Sequence, residues 1–152
     1  MATQLSPEAH ERLRSELEDL VVRGRLEIST RIEEARALGD LKENGEYHAA
    51  KDEQGKMELR IRQLKAMLED VAIVQGGSAD GTVSVGATVT IDFGDGNTEL
   101  YLVGNIEEKK EGVEIVSPDA PLGKALLGRA VGDDVTYEVN GRTLTVKLVG
   151  IE

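Results

Sequence analysis

The 152-residue chain has no cysteine, which excludes disulfides, thiolate nucleophiles, zinc ribbons and iron–sulfur ligation together. Aromatic residues are only 3% (Tyr47, Phe93, Tyr101 and Tyr137), so a pocket built on stacked rings has little material. Proline is equally sparse: after Pro7 none occurs before Pro118, which leaves a long stretch free of helix breakers. The first residues, MATQLSPEAHERLRSE, are polar, and no run approaches the roughly 20 apolar residues of a membrane span. A soluble, untargeted, cytoplasmic protein with no membrane partner is expected. Basic residues are few, 18 against 29 acidic, for a formal charge of −11. A surface that wraps free nucleic acid by neutralising phosphates is thereby disfavoured.

Glycine and charge divide the chain into two parts. Only Gly24, Gly39, Gly45 and Gly55 precede residue 76, and the other 13 of the 17 glycines follow. Residues 1–75 carry 12 basic and 16 acidic side chains, as a solvated helical surface does, against 6 and 13 in residues 76–152. Ser6-Pro7-Glu8 forms a helix start, a cap followed by proline at the first position. Ala50, Gln54, Met57, Ile61, Leu64, Leu68 and Val71 step by alternating fours and threes, the seam of a coiled coil. Leu13, Leu17, Leu20, Gly24, Ile28, Ile32 and Ala35 keep a looser version, in which Gly24 permits close helix approach or a bend. The rhythm breaks over residues 38–46, so an antiparallel helical hairpin spans residues 1–75. At 1.5 Å per residue its arms are on the order of 45 Å long, longer than a narrow seam needs for its own burial.

Residues 76–81 form a glycine-rich linker, and residues 82–152 switch to strand grammar. Val89–Phe93 and Glu99–Val103 flank a Gly-Asp-Gly-Asn turn, Val135–Val139 and Thr143–Val149 flank Asn140-Gly141, and Val113–Val116 is a further strand. Pro121–Leu127 is a short helix. The fold class is α+β: the hairpin followed by a small, mainly antiparallel sheet domain. Gly94 and Gly96 lie in a hairpin turn and precede no helix, so they are no phosphate loop. His10 and His48 lack the neighbours of a zinc site.

Asp40, Glu43 and Glu46 crowd the turn between the arms. If the returning helix starts near Leu41, they project from its first turns. Two readings are open. Asp40-Leu41-Lys42-Glu43 matches a capping box, and the same carboxylates suit a hard cation such as Mg²⁺ whose coordination another molecule completes.

The run Gly39-Asp40-Leu41-Lys42-Glu43-Asn44-Gly45-Glu46-Tyr47-His48-Ala49-Ala50-Lys51 resembles the tip motif of the Gre-type bacterial transcript cleavage factors, in particular the GreA branch. Ser117-Pro118-Asp119-Ala120-Pro121-Leu122-Gly123-Lys124-Ala125-Leu126-Leu127-Gly128 is similar to that family's second signature. The resemblance implies a monomeric elongation factor that inserts its coiled coil through the secondary channel of bacterial RNA polymerase to reach the nascent RNA 3′ end. Asp40 and Glu43 would then be the catalytic, metal-holding pair. Asp40 would help hold Mg²⁺ jointly with the polymerase, and Glu43 would activate the attacking water. The cleavage is the polymerase's own, so the chain is no enzyme in isolation.

By the same resemblance Arg36, Tyr47 and Lys51 lie near the RNA; as residues alone, the two cations fit a solvated helix face and Tyr47 fits a ring covering the turn. Position 45, glycine where alanine is usual, implies a tip looser by about 0.5–1 kcal/mol. The C-terminal domain would be FKBP-like, without prolyl isomerase activity because its rings are spread over separate strands. It would dock on polymerase through Asp119, Ala120 and Pro121, which otherwise form a proline turn leading into the helix. Two rivals are a Gre-like channel regulator without cleavage stimulation and a coiled-coil scaffold whose charged tip only solubilises.

Overall fold

The computed structural model describes residues 2–40, 44–76 and 80–152. They form two compact units, residues 11–70 and residues 1–10 with 71–152.

The helical unit is the expected hairpin. Its first arm runs as α1 (Pro7–Asp19), a π-helical turn (Leu20–Gly24) and α2 (Arg25–Arg36), and its second is α3 (Gly45–Glu69). Antiparallel pairing shows in ion pairs whose numbers run in opposite directions: Glu16 with Arg60 at 2.7 Å, Arg25 with Glu58 at 2.9 Å, and Arg31 with Glu53. The Arg31–Glu53 and Arg25–Glu58 pairs are solvent-exposed or nearly so and add little to stability, and Glu16–Arg60 is part-buried. The seam carries the stability, with Leu13, Ile28, Ala35, Ala50, Ile61 and Leu64 all buried.

The π turn has a cause legible in the seam. Leu20, Gly24, Ile28 and Ile32 make three successive steps of four, one residue more than alternating fours and threes allow. An i→i+5 bond from the Arg25 N–H to the Leu20 carbonyl absorbs the surplus and returns Ile28 to the seam. Gly24 closes this turn because a Cβ there would meet the Met57 sulfur at 3.0 Å. Of the close approach or bend expected at Gly24, the close approach is present in the Met57 contact. Val71, expected in the seam, lies instead in a strand, because α3 stops at Glu69.

The second unit contains a two-stranded parallel pair, β1 (Thr3–Leu5) with β2 (Val71–Ile73), and a five-stranded sheet. The sheet strands are β3 (Thr88–Asp92), β4 (Thr98–Val103), β5 (Glu114–Val116), β6 (Asp134–Val139) and β7 (Arg142–Ile151), in the order β5-β4-β3-β7-β6. Within this sheet β4–β5 is parallel, and β3–β4, β3–β7 and β6–β7 are antiparallel. Asn140 and Gly141 adopt φ of 52° and 77°, the left-handed pair that a two-residue hairpin requires. Helix α4 (Pro121–Leu126) inserts Leu126 into a core formed with Val89, Ile91, Val103, Val135 and Leu148.

Residues 1–10, assigned by sequence to the helical part, pack in the sheet unit. A long-range bond network explains why. Glu108 is buried, and its carboxylate accepts from the Ser6 N–H at 2.9 Å and the Ser6 hydroxyl at 2.6 Å, while Ser6 Oγ accepts from the Ala9 N–H. The first turn of α1 is capped both locally and by a carboxylate 102 residues away. The rings also gather more than their spacing suggests: Phe93 and Tyr101 lie 6.2 Å apart, and Tyr101 and Tyr137 pack on the same core. Burial and the Glu99 carboxylate, which accepts from the Tyr101 hydroxyl at 2.8 Å, raise the Tyr101 pKa above the ordinary phenol range.

Candidate functional site

The hairpin end is built by a controlled stop and restart. After Arg36, the Ala37, Leu38 and Gly39 N–H groups still reach back to Glu33, Ala35 and Arg36. Gly39 then turns the chain out of the helix at φ +128°, a region that favours glycine. Asp40 follows as an exposed carboxylate. Leu41, Lys42 and Glu43 lie outside the described residues, so the Glu43 half of the expected pair carries no geometry here.

The capping reading of Asp40 is corrected. Helix α3 begins at Gly45, four residues beyond the expected start, and its cap is Asn44, whose side chain accepts from the Tyr47 N–H at 3.1 Å. The same side chain donates to the Ala35 carbonyl on the other arm. Asn44 was missed as a functional residue in the sequence reading, although asparagine followed by Gly-Glu-Tyr is itself a helix-start signal. Asp40 therefore precedes the helix, and only Glu46 of the three crowded acids sits in its first turn.

Arg36 is the exposed last residue of α2, and Lys51 is exposed on α3 with its ammonium donating to Gln54 at 3.0 Å. Tyr47 is half-buried, its ring edge-on to His48 at 5.6 Å. All three belong to the end of the hairpin near Asp40. Gly45 is the first helical residue and a Cβ would meet nothing within 4 Å, so the interior-helix penalty expected there is not fully incurred. Gly45→Ala is expected to raise hairpin stability by about 0.5 kcal/mol, because alanine narrows the unfolded ensemble without a clash; urea unfolding of the two proteins checks this.

Among the described residues no three His, Asp or Glu converge on a metal cage. An exposed carboxylate at a turn fits a different use, as one donor to a hard cation whose other ligands are water and phosphate. In the sheet unit, Asp119, Ala120 and Pro121 form the entry to α4: Pro121 occupies the first helical turn, and the Asp119 N–H bonds the Ser117 hydroxyl at 3.1 Å. Asp119 and Pro121 are exposed. Gly123, buried beneath this turn, is a second residue that the sequence reading did not single out.

An antiparallel hairpin with an acidic turn, followed by a small α+β domain, defines a two-part factor. Residues 3–73 match the family model described as transcription elongation factor, N-terminal, and residues 78–152 match that of transcription elongation factor, GreA/GreB, C-term. The chain belongs to the GreA/GreB family of transcription elongation factors. It is 46% identical over 153 residues to transcription elongation factor GreA of Streptomyces coelicolor, covering 99% of this chain and 93% of that protein. With GreA of Geobacillus kaustophilus it shares 40% over 150 residues, covering 97% and 95%. Among solved structures, GreA factor homolog 1 of Thermus thermophilus is 26% identical with a TM-score of 0.44, covering 100% of this chain and 99% of that one. The family resemblance carried by the tip motif therefore holds over the whole chain. No helix among the described residues is long and apolar enough to cross a membrane.

Proposed function

We propose that this elongation factor acts as a monomer in the cytoplasm on bacterial RNA polymerase, entering the secondary channel with its hairpin and stimulating cleavage of backtracked nascent RNA. The observation that carries this reading is the exposed Asp40 at the turn of a long antiparallel hairpin whose helix cap is supplied by another residue. The 25 residues of α3 extend about 38 Å at 1.5 Å each, which suits delivery of that acid into a recess.

Mg²⁺, shared with the polymerase, would polarise the scissile phosphate and lower the pKa of bound water. Asp40 would supply an oxygen donor, and Glu43 would orient the attacking water and take its proton. Arg36 and Lys51 would hold the RNA 3′ segment by charge, with Tyr47 beside it. The polymerase performs the hydrolysis, so the chain alone is no enzyme. This division also accommodates an acidic protein acting on RNA, because the polymerase channel and metal neutralise the phosphates.

The test is release of RNA 3′ fragments from a stalled, backtracked polymerase with Mg²⁺, with and without the protein. Binding without faster release would move the chain to the class of channel regulators. Docking is assigned to Asp119, Ala120 and Pro121. Asp119→Arg is expected to weaken polymerase binding about tenfold, as loss or reversal of one interfacial charge does, while thermal unfolding is unchanged because the side chain is exposed. Unaltered binding in a titration would remove this surface from the interface.

A further inference from the structure

One side chain bonds to both arms at the hairpin end. Asn44 Oδ1 accepts from the Tyr47 N–H at 3.1 Å, and Asn44 Nδ2 donates to the Ala35 carbonyl, nine residues back. The two bonds fix the amide orientation, since only the oxygen can serve the N–H and only the nitrogen the carbonyl. Both anchors sit in packed structure. Ala35 is a buried seam residue whose carbonyl also accepts from Leu38 at 3.1 Å, and α3 buries Ala50 one turn after Tyr47.

We infer that Asn44 is a positioning residue of the tip: it stitches the end of the outgoing arm to the start of the returning one and so holds together the two ends between which Asp40 lies. A plain helix cap needs only an acceptor. The donor half, aimed across to the other arm, does nothing for α3 and acts only on the closure between the arms. The inference rests on the proposed cleavage role, in which misplacing a donated carboxylate by a fraction of an ångström slows the reaction without weakening docking.

Asn44→Ser separates the two halves, because a hydroxyl retains the cap and lacks the reach to Ala35; Asn44→Ala removes both. In the cleavage assay, both variants are expected to lower the release rate at saturating protein about tenfold, with the half-saturating concentration close to wild type and a raised Mg²⁺ requirement. In the free protein, amide exchange by NMR is expected to keep Tyr47 protected in Asn44→Ser while Leu38 exchange accelerates. A serine variant with wild-type rate, or one whose whole loss lies in half-saturation, overturns the inference. So does unchanged Leu38 exchange, which decides the stitch even if wild type fails to stimulate cleavage and the proposed function falls.

Discussion

The double variant Asp40→Asn, Glu43→Gln is expected to lower stimulated RNA 3′-end release by at least about 10²-fold, the range over which a positioned acid or base acts, with polymerase binding retained. Each amide matches its acid in size, removes the charge and turns one acceptor oxygen into a donor. A hard divalent cation discriminates strongly between the two, since an amide oxygen is a far weaker donor than a carboxylate. The expected loss therefore scales with metal and water handling. Asn44 caps α3, so the helix start does not depend on the Asp40 charge, and unfolding midpoints measured beside the release rates separate a catalytic loss from a loss of stability. If the variant stimulates release as well as wild type does, the acidic turn is a solubilising feature and the catalytic assignment falls. A parallel loss of binding would instead place these carboxylates in the docking surface.

Gly123→Ala is expected to cost the sheet unit about 2–4 kcal/mol, the scale of severe overpacking against a site that cannot relax. A Cβ at this position would lie 1.9 Å from the Ser117 carbonyl oxygen, 2.9 Å from its carbon and 3.1 Å from Pro118 Cα. All three are backbone atoms, so no rotamer change relieves the contact. Either the Ser117–Ala120 turn must lift or α4 must withdraw, and withdrawal takes fully buried Leu126 out of the core. Because Asp119, Ala120 and Pro121 ride on that turn, polymerase binding should fall with stability. Lys124→Ala, one residue along and exposed, is the control and should change stability by less than about 0.5 kcal/mol. Chemical denaturation of the three proteins measures both effects. A Gly123→Ala variant as stable as wild type would mean that the turn moves freely and does not hold the docking residues in place.

Much of this architecture is legible before any coordinates. The seam from Ala50 to Leu68 falls on buried or half-buried positions throughout, because side-chain direction repeats with helical geometry and needs no knowledge of the partner. The looser first series marks the place of the π turn at Leu20–Gly24, but the turn itself is read only from the structure. The sheet strands emerge within a residue or two of their predicted bounds, since Asn140-Gly141 and the Asp-rich turn at residues 92–97 specify tight reversals through local backbone preference.

The features that escape sequence reading each depend on a partner distant along the chain. The Ser6–Glu108 network joins residues 102 apart and draws the start of α1 into the sheet unit. That Phe93 lies beside Tyr101, and that Tyr101 and Tyr137 pack on one core, depends on how the strands pair and pack. At the hairpin end, the motif pointed to Asp40 and Glu43 as chemistry and its capping-box alternative put the cap on Asp40, whereas Asn44 supplies it.

The sequence by itself determined the hairpin, the acidic turn, the sheet domain and the family, because periodicity, turn chemistry and motif spacing are local properties. Only the tertiary structure decided that Asn44 bridges the arms to the Ala35 carbonyl, that Gly123 must lack a side chain, and that residues 1–10 belong with the sheet. These outcomes turn on which distant carbonyls and carboxylates packing brings within reach, and spacing along the chain does not contain that distance.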